Sequence, residues 1–332
     1  MHARSRPLYG LALATATIGL LLAVGRVCLR PSVSLQPGWR AAPCGPRLAR
    51  RVLLVVVDAM RADVFDSEPF AAMRAKYPDA VGGVVRTSPI SMTTAGVRSM
   101  VTGTYPDLFD VLHNWGNIAT PLPSVPAAAH RAGLVTATFG DSIWREMFPD
   151  DFVVAPRERH RPGFLYQLFA ETIPDKDAME LFHTWSRGGG VADFTVLHLV
   201  GLDHAGHRNG VKSGRYAEIV RRTAAHLAAA LADVPPNTTV VITADHGVTD
   251  SGGHGGASPR ETDVPLFAFG PGLVPGARLS LHQIDLAPTL SCLLGLPIPE
   301  GSLGRPAVEA LAESDTARTA RLDAGLTGIR QS

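Results

Sequence analysis

Hydrophobic and polar positions along the chain alternate between short, wholly apolar runs and longer segments of helical period. Val52 to Val57, Phe194 to Val200 and Thr239 to Thr243 are Val-rich or β-branched runs of strand length, bounded by Gly or charge. That is the pattern of strands buried on both faces of a parallel sheet. Leu134 to Phe139 and Leu266 to Phe269 read as further strands, with a strand-like Val84-Val85 between the first two helices. Helices are predicted around Pro69 to Lys76, after Thr93, and over Ser124 to Ala132, Arg215 to Leu231 and Asp285 to Leu294. Such alternation predicts an α/β fold, a mostly parallel central sheet with helices on both faces, in a single domain. In open sheets of this kind ligands bind beyond the carboxyl ends of the strands. Three of the predicted ends carry Asp58, Gly201-Leu202-Asp203 and Ala244-Asp245-His246, which points to one crevice and to chemistry in it.

The flanks differ from this core. Leu8 to Val24 is almost wholly apolar and follows Arg4 and Arg6, so residues 1–29 are expected to be a signal anchor or signal peptide. Arg26 directly after Ala23-Val24-Gly25 makes a poor cleavage site, and the run approaches the roughly 20 apolar residues that a span needs. An anchor is therefore expected. Residues 30–49, rich in Pro and Gly, read as a tether, residues 50–309 as the catalytic domain, and residues 310–332 as a flexible tail. The arginines at 26, 30, 40, 47, 50 and 51 outnumber the basic residues ahead of the span and, by the positive-inside rule, favour a cytoplasmic domain.

Composition excludes some function classes. With 31 basic and 30 acidic residues the net charge is +1, and no long Lys/Arg run occurs, so nucleic acid is not an expected partner. Cys28, Cys44 and Cys292 lie far apart with no C-x-x-C spacing, which indicates neither a zinc knuckle nor a redox pair and leaves a Cys44–Cys292 disulfide open.

Asp58, Asp203, His207, Asp245, His246 and His254 are the residue types of a hydrolytic centre with two divalent cations. Carboxylate and imidazole together suit Zn²⁺, with Mn²⁺ also admitted by ligand type. Taken singly, each has a plainer role, because a strand-end Asp caps helices and a lone His packs in cores. The joint placement favours chemistry. Thr93 opens a hydroxyl-rich helix in a segment running from Arg86 to Pro106. It reads either as a helix cap or, if activated, as a nucleophile. His198, inside an apolar run, reads as a hydrogen-bonded core residue.

Taken together, Val55-Val56-Val57-Asp58-Ala59-Met60-Arg61-Ala62-Asp63, the Thr-rich segment ending Thr102-Gly103, Gly201-Leu-Asp-His-Ala-Gly-His207, Ala244-Asp-His-Gly247 and Gly252-Gly-His-Gly-Gly256 resemble the alkaline phosphatase superfamily. Within it they resemble type I phosphodiesterases and, most of all, the glycosylphosphatidylinositol ethanolamine phosphate transferases. Phe139-Gly-Asp-Ser-Ile-Trp-Arg-Glu-Met-Phe-Pro149 points to the last group. The resemblance spans roughly Arg51 to Leu296 and implies an alkaline-phosphatase-like fold with two divalent metal ions. One would be held by Asp203, His207 and His254, the other by Asp58, Asp245 and His246, with Thr93 as nucleophile and Thr94 as the fallback. It implies phosphoethanolamine transfer from a phospholipid to a sugar or lipid hydroxyl through phosphothreonine, and an extracytoplasmic catalytic domain attached to the membrane by its N-terminal segment. With water as acceptor the same centre would be a phosphodiesterase, nucleotide pyrophosphatase or phosphatase; an inactive metal-binding module is the reading from another class. No Cys-x-Pro-x-Arg or Ser-x-Pro-x-Arg element accompanies Thr93, which removes a sulfatase. Gly96 stands where related phosphodiesterases place Asn, so Asn114, Asn117 or Arg98 is expected to replace that donor. Trp115, Asp141 and Trp144 read either as two packing aromatics and a strand-end carboxylate or as groups that face a small cationic alcohol, by aromatic face or carboxylate.

Overall fold

The computed structural model describes residues 44–114, 119–157 and 173–312. Its strands are β1 (Arg51–Val57), β2 (Val81–Arg86), β3 (Thr136–Gly140), β4 (Phe194–Leu199), β5 (Thr238–Thr243), β6 (Asp263–Phe269) and β7 (Arg278–His282). They form one sheet in the order β3-β4-β1-β5-β6-β2-β7. β3, β4, β1 and β5 run parallel, as do β2 and β7, while β6 is antiparallel to both neighbours. β1 and β4 occupy the middle of the parallel half and are buried along almost their whole length, which is why their sequences are continuous apolar runs without alternation.

Between the strands lie α1 (Ala62–Phe65), α2 (Ala71–Lys76), α3 (Thr93–Thr102), α4 (Leu108–Leu112), α5 (Val125–Arg131), α6 (Ile143–Met147), α7 (Ile173–Arg187), α8 (Gly201–Asn209), α9 (Gly214–Ala232), α10 (Pro259–Thr262) and α11 (Leu286–Leu294). α3, α5 and α11 pack against one another, and α9 packs against both α7 and α8. Local chemistry starts several of them: the Ser124 and Ser213 side chains accept the backbone N–H groups of Ala127 and Tyr216, capping α5 and α9. α3 is different. Its N-cap is Met92 and no side chain caps it, so the Thr93 hydroxyl is not spent on helix capping.

The sequence pattern predicts neither β7, α7 and α8 nor the short helices α1, α4, α6 and α10. β7 is an edge strand with only one buried position, and α8 opens directly at the end of β4 with polar residues of the site on its inner face. Cys44 is disulfide-bonded to Cys292, 248 positions away, with a Cα–Cα distance of 5.0 Å. Cys44 and Ala49, in the stretch expected to act as a tether, are buried in the core, and so are Ala310 and Leu311, at the start of the expected tail. Backbone bonds from Leu48 and Ala49 to Leu293 hold the same strap along α11. Among the described residues no helix is long and apolar enough to cross a membrane. The apolar segment from Leu8 to Val24 lies outside the described residues.

Candidate active site

The parallel arrangement brings the carboxyl ends of β1, β4 and β5 to one edge, and β2, antiparallel to β6, points the same way. Asp58 directly follows β1, and Asp245 and His246 follow β5. Asp203 sits in the first turn of α8 rather than at a bare strand end, which sets His207 one turn on along the same face. His254 comes from the loop after His246, and Thr93 is the first residue of α3.

Two clusters result. His246 Nε2 lies 3.4 Å from Asp58 Oδ1 and 3.5 Å from Asp245 Oδ2. Asp203 Oδ1 lies 3.4 Å from His207 Nε2 and 3.5 Å from His254 Nε2, and the two imidazole nitrogens are 3.0 Å apart. His246 bridges them: its ring stacks on that of His254 at 4.0 Å, and one ligand atom each from Asp203, His246 and His254 lie within 4.8 Å of one another. The sequence-based division into two triads therefore describes neighbouring groups that share a wall.

Outer contacts aim the ligand atoms inward. His246 Nδ1 donates to Gly247 O at 2.9 Å and His254 Nδ1 donates to Ser91 O at 2.8 Å, which leaves each Nε2 lone pair facing the clusters. Asp245 Oδ1 accepts the N–H groups of His246 and Ala59, so Oδ2 is the oxygen turned inward. Asp58 Oδ1, Asp203 Oδ1 and Asp245 Oδ2 are buried with no hydrogen-bond partner among the described residues. Buried acceptors without donors are costly, and six convergent acceptors suit a cation rather than a proton network. The donor set fits a divalent metal.

Electrostatics agree. Burial, then repulsion from Asp245 and Asp203, raises the Asp58 carboxyl well above its ordinary value, and burial likewise raises Asp245. Burial also opposes charge on Asp203, but His207, His254 and His246 together bring its carboxyl below the usual range. Burial lowers His246, and burial with His246 alongside lowers His254 to about 4, which favours the neutral, ligating form of each imidazole.

Thr93 Oγ1 stands 3.3 Å from His246 Nε2, at the shared wall. The N–H of Thr94 donates to Asn114 Oδ1 at 3.1 Å, which ties the start of α3 to the loop after α4. Asn117 and Trp115 lie outside the described residues. Asp141 Oδ1 accepts the Ile143 N–H at 2.8 Å, and burial raises its carboxyl. Trp144 is fully buried and donates its indole N–H to His198 Nδ1 at 3.0 Å, so its ring offers no face to a substrate. Asp175 and Gln283 escaped sequence reasoning. Asp175 accepts the N–H groups of Val200 and Gly201 at the β4–α8 turn that carries Asp203, and Gln283 donates to Asp245 O at 2.7 Å. Neither has a local signal, since each acts on a partner distant in sequence. Ser91, two residues before Thr93, accepts the Gly255 N–H and donates to Gly256 O, latching the His254 loop.

The model of the type I phosphodiesterase / nucleotide pyrophosphatase family matches residues 52–256, which hold all of these ligand-type residues and Thr93. The chain belongs to this family. Among its curated relatives, human GPI ethanolamine phosphate transferase 2, catalytic subunit, is 28% identical over 82% of this chain and 29% of its own length. The mouse GPI ethanolamine phosphate transferase 3, catalytic subunit, is 27% identical over 92% of this chain and 30% of its own length. This phosphodiesterase-family chain thus spans about a third of the length of those relatives. A solved alkaline phosphatase superfamily protein from Vibrio parahaemolyticus superposes with a TM-score of 0.59 over 90% of this chain and 92% of that one, at 14% identity. The fold is alkaline-phosphatase-like, and the family is one of metal-dependent phosphoryl-transfer enzymes.

Proposed function

We propose that this chain transfers phosphoethanolamine from a phospholipid to a sugar or lipid hydroxyl through a phosphothreonine at Thr93. The observation that carries the reading is the Thr93 hydroxyl, uncapped and 3.3 Å from His246 Nε2, at the wall between two acid–imidazole clusters. Asp58, Asp245 and His246 would hold one divalent cation and Asp203, His207 and His254 a second, Zn²⁺ or Mn²⁺ on ligand type. A bound pair of this kind activates a hydroxyl and screens charge on the phosphoryl and leaving oxygens.

The chain's own groups account for the rest. Thr93 Oγ1 bonds to phosphorus as the bond from phosphorus to the donor's alcohol oxygen breaks, and the threonine proton is balanced by protonation of the departing alcohol. The acceptor hydroxyl then bonds to phosphorus, the phosphorus–Oγ1 bond breaks, and the acceptor's proton restores the threonine. Asn114 keeps the first turn of α3 in register beneath the reacting phosphoryl group, and Asp141 supplies a carboxylate for the substrate's ammonium group. The names of the two relatives support phosphoethanolamine as the group moved. The family model supports the alternative in which water is the acceptor and the chain is a phosphodiesterase.

An extracytoplasmic domain anchored through the segment from Leu8 to Val24 belongs to the same reading. The Cys44–Cys292 disulfide supports it, because such bonds persist in oxidising compartments. Protease added outside intact cells or spheroplasts is expected to digest the domain; full protection would overturn this topology.

The direct test is turnover of phosphatidylethanolamine or glycerophosphoethanolamine against a nitrophenyl nucleotide, with and without a sugar acceptor. Ethanolamine donors are expected to be preferred, and Thr93→Ala to lose turnover by several orders of magnitude while keeping its metal. A nucleotide preference unchanged by Asp141→Asn would leave the water-acceptor reading in its place. Trapped phosphoprotein mapping to Thr94 would reassign the nucleophile.

A further inference from the structure

Trp144 and His198 lie outside the chemistry derived above, yet they are built against one of its ligands. β3 ends at Gly140 with φ +94°, and a Cβ there would meet the His198 carbonyl oxygen at 1.9 Å. Only glycine lets the strand end lie against β4 at this point. The Asp141 N–H donates to that same carbonyl at 3.3 Å, and its Oδ1 accepts the Ile143 N–H, turning the chain into α6. Trp144 is thereby delivered to the core with its indole N–H on His198 Nδ1.

An indole N–H can only donate, so His198 Nδ1 is the acceptor and the neutral ring carries its proton on Nε2. Nε2 is buried, has no hydrogen-bond partner among the described residues, and faces Asp58 Oδ2 at 3.8 Å. The other oxygen, Asp58 Oδ1, is the one turned to His246 Nε2. The carboxylate is thus divided between two neighbours.

We propose that Trp144 and His198 are positioning residues for the cation site that contains Asp58: Trp144 fixes the His198 tautomer, and the His198 Nε2–H, turned toward Asp58 Oδ2 at 3.8 Å, attracts that oxygen without a direct hydrogen bond, so that Oδ1 is presented beside Asp245 and His246. The inference rests on the two-cation reading and deepens it. It assigns the Gly140-Asp141-x-x-Trp144 pattern a role in building the centre. Outer partners of metal ligands typically contribute roughly 10- to 100-fold in affinity. The effect is confined to the site containing Asp58, because nothing from Trp144 or His198 touches His207 or His254 among the bonds described.

The test is equilibrium titration of the metal-free full chain with Zn²⁺ against a chromogenic chelator, together with the ¹⁵N chemical shifts of His198. Wild type is expected to take two ions and to show His198 protonated on Nε2. Trp144→Phe, with an unchanged circular dichroism spectrum, is expected to hold one ion as wild type does and the other roughly 10- to 100-fold more weakly. His198→Gln, which keeps an N–H donor, should bind the weakened ion more tightly than His198→Leu; if Trp144→Phe does not fold, this pair decides the matter. Wild-type affinity for both ions in Trp144→Phe, equal affinities in the two His198 variants, or an Nδ1-protonated His198 in wild type would overturn the inference while leaving the two-cation reading intact. A wild-type chain that takes no divalent ion would overturn both.

Discussion

At residue 96 there is no room for a side chain: a Cβ would come within 2.3 Å of the Asp245 carbonyl oxygen. Sequence reading noticed Gly96 only as a missing asparagine, yet its absent side chain lets α3 press against the loop that carries Asp245 and His246. That contact sets the approach of Thr93 to His246, and displacements of about 1 Å at a reacting group can cost roughly 100-fold in rate. Gly96→Ala must displace the Asp245 backbone and is therefore expected to lower kcat by about that factor and to lower the melting temperature as well; a variant with wild-type kcat and melting temperature would refute the account. Thr94 offers a contrast. It is buried and its N–H is held by Asn114, so Thr94→Ala should retain most turnover whereas Thr93→Ala should not.

Elements are held around the site by charge as well as by apolar packing. Asp250, in the loop between His246 and His254, accepts from Lys212 after α8, from Arg61 after β1 and from Arg260 in α10. Hydrogen bonds from Lys212 and Arg61, with Arg260 close by, hold its carboxyl far below the ordinary value of 3.8. A depressed carboxyl contributes stability that is present above its unfolded value and is lost as pH falls toward the folded one. Asp250→Asn should lower the melting temperature at neutral pH, and the gap from wild type should begin to shrink below about pH 4, near the unfolded carboxyl value, and go on shrinking as pH falls further. A gap that persists unchanged at pH 2.5, read by thermal melts, would contradict this assignment. On the other side of Thr93, Arg98 of α3 pairs with Asp110 of α4 at 2.5 Å, both side chains buried. Asp110→Ala leaves the buried Arg98 guanidinium with Asp107 at 3.7 Å and the Tyr105 carbonyl, and is expected to cost roughly 1–3 kcal/mol in denaturant unfolding, while loosening Asn114 beyond α4.

Across the whole molecule, the chemistry and the covalent closure sit at opposite ends of the sheet. The ligands follow the carboxyl ends of the strands, whereas Cys44 precedes β1 and Cys292 lies near the last turn of α11. The crosslink closes a long loop, and such bonds contribute roughly 2–5 kcal/mol, largely by restricting the unfolded chain. Cys292→Ser should accordingly lower the melting temperature while leaving kcat close to wild type. A large loss of kcat at a temperature where the variant is folded would mean that the strap from Cys44 to Ala49 reaches the site.

Sequence alone determined the central strands, since a strand buried on both faces must be apolar at every position, and it determined which residue types stand where those strands end. It also placed α9, α5 and α11 to within a few residues, because their period and their serine, proline and glycine boundaries are local. The tertiary structure decided what local pattern cannot encode. The antiparallel seat of β6, the addition of β7 at the edge, and the closure of Cys44 on Cys292 depend on which distant segments meet. So does the direction of each polar atom. The same Trp144 read as a wall for a cationic alcohol is turned inward by Gly140 and Asp141, and His198, read simply as a core histidine, comes to face Asp58. A residue's chemistry is written at its own position, but the orientation that makes it useful is set by partners brought alongside only when the chain has folded.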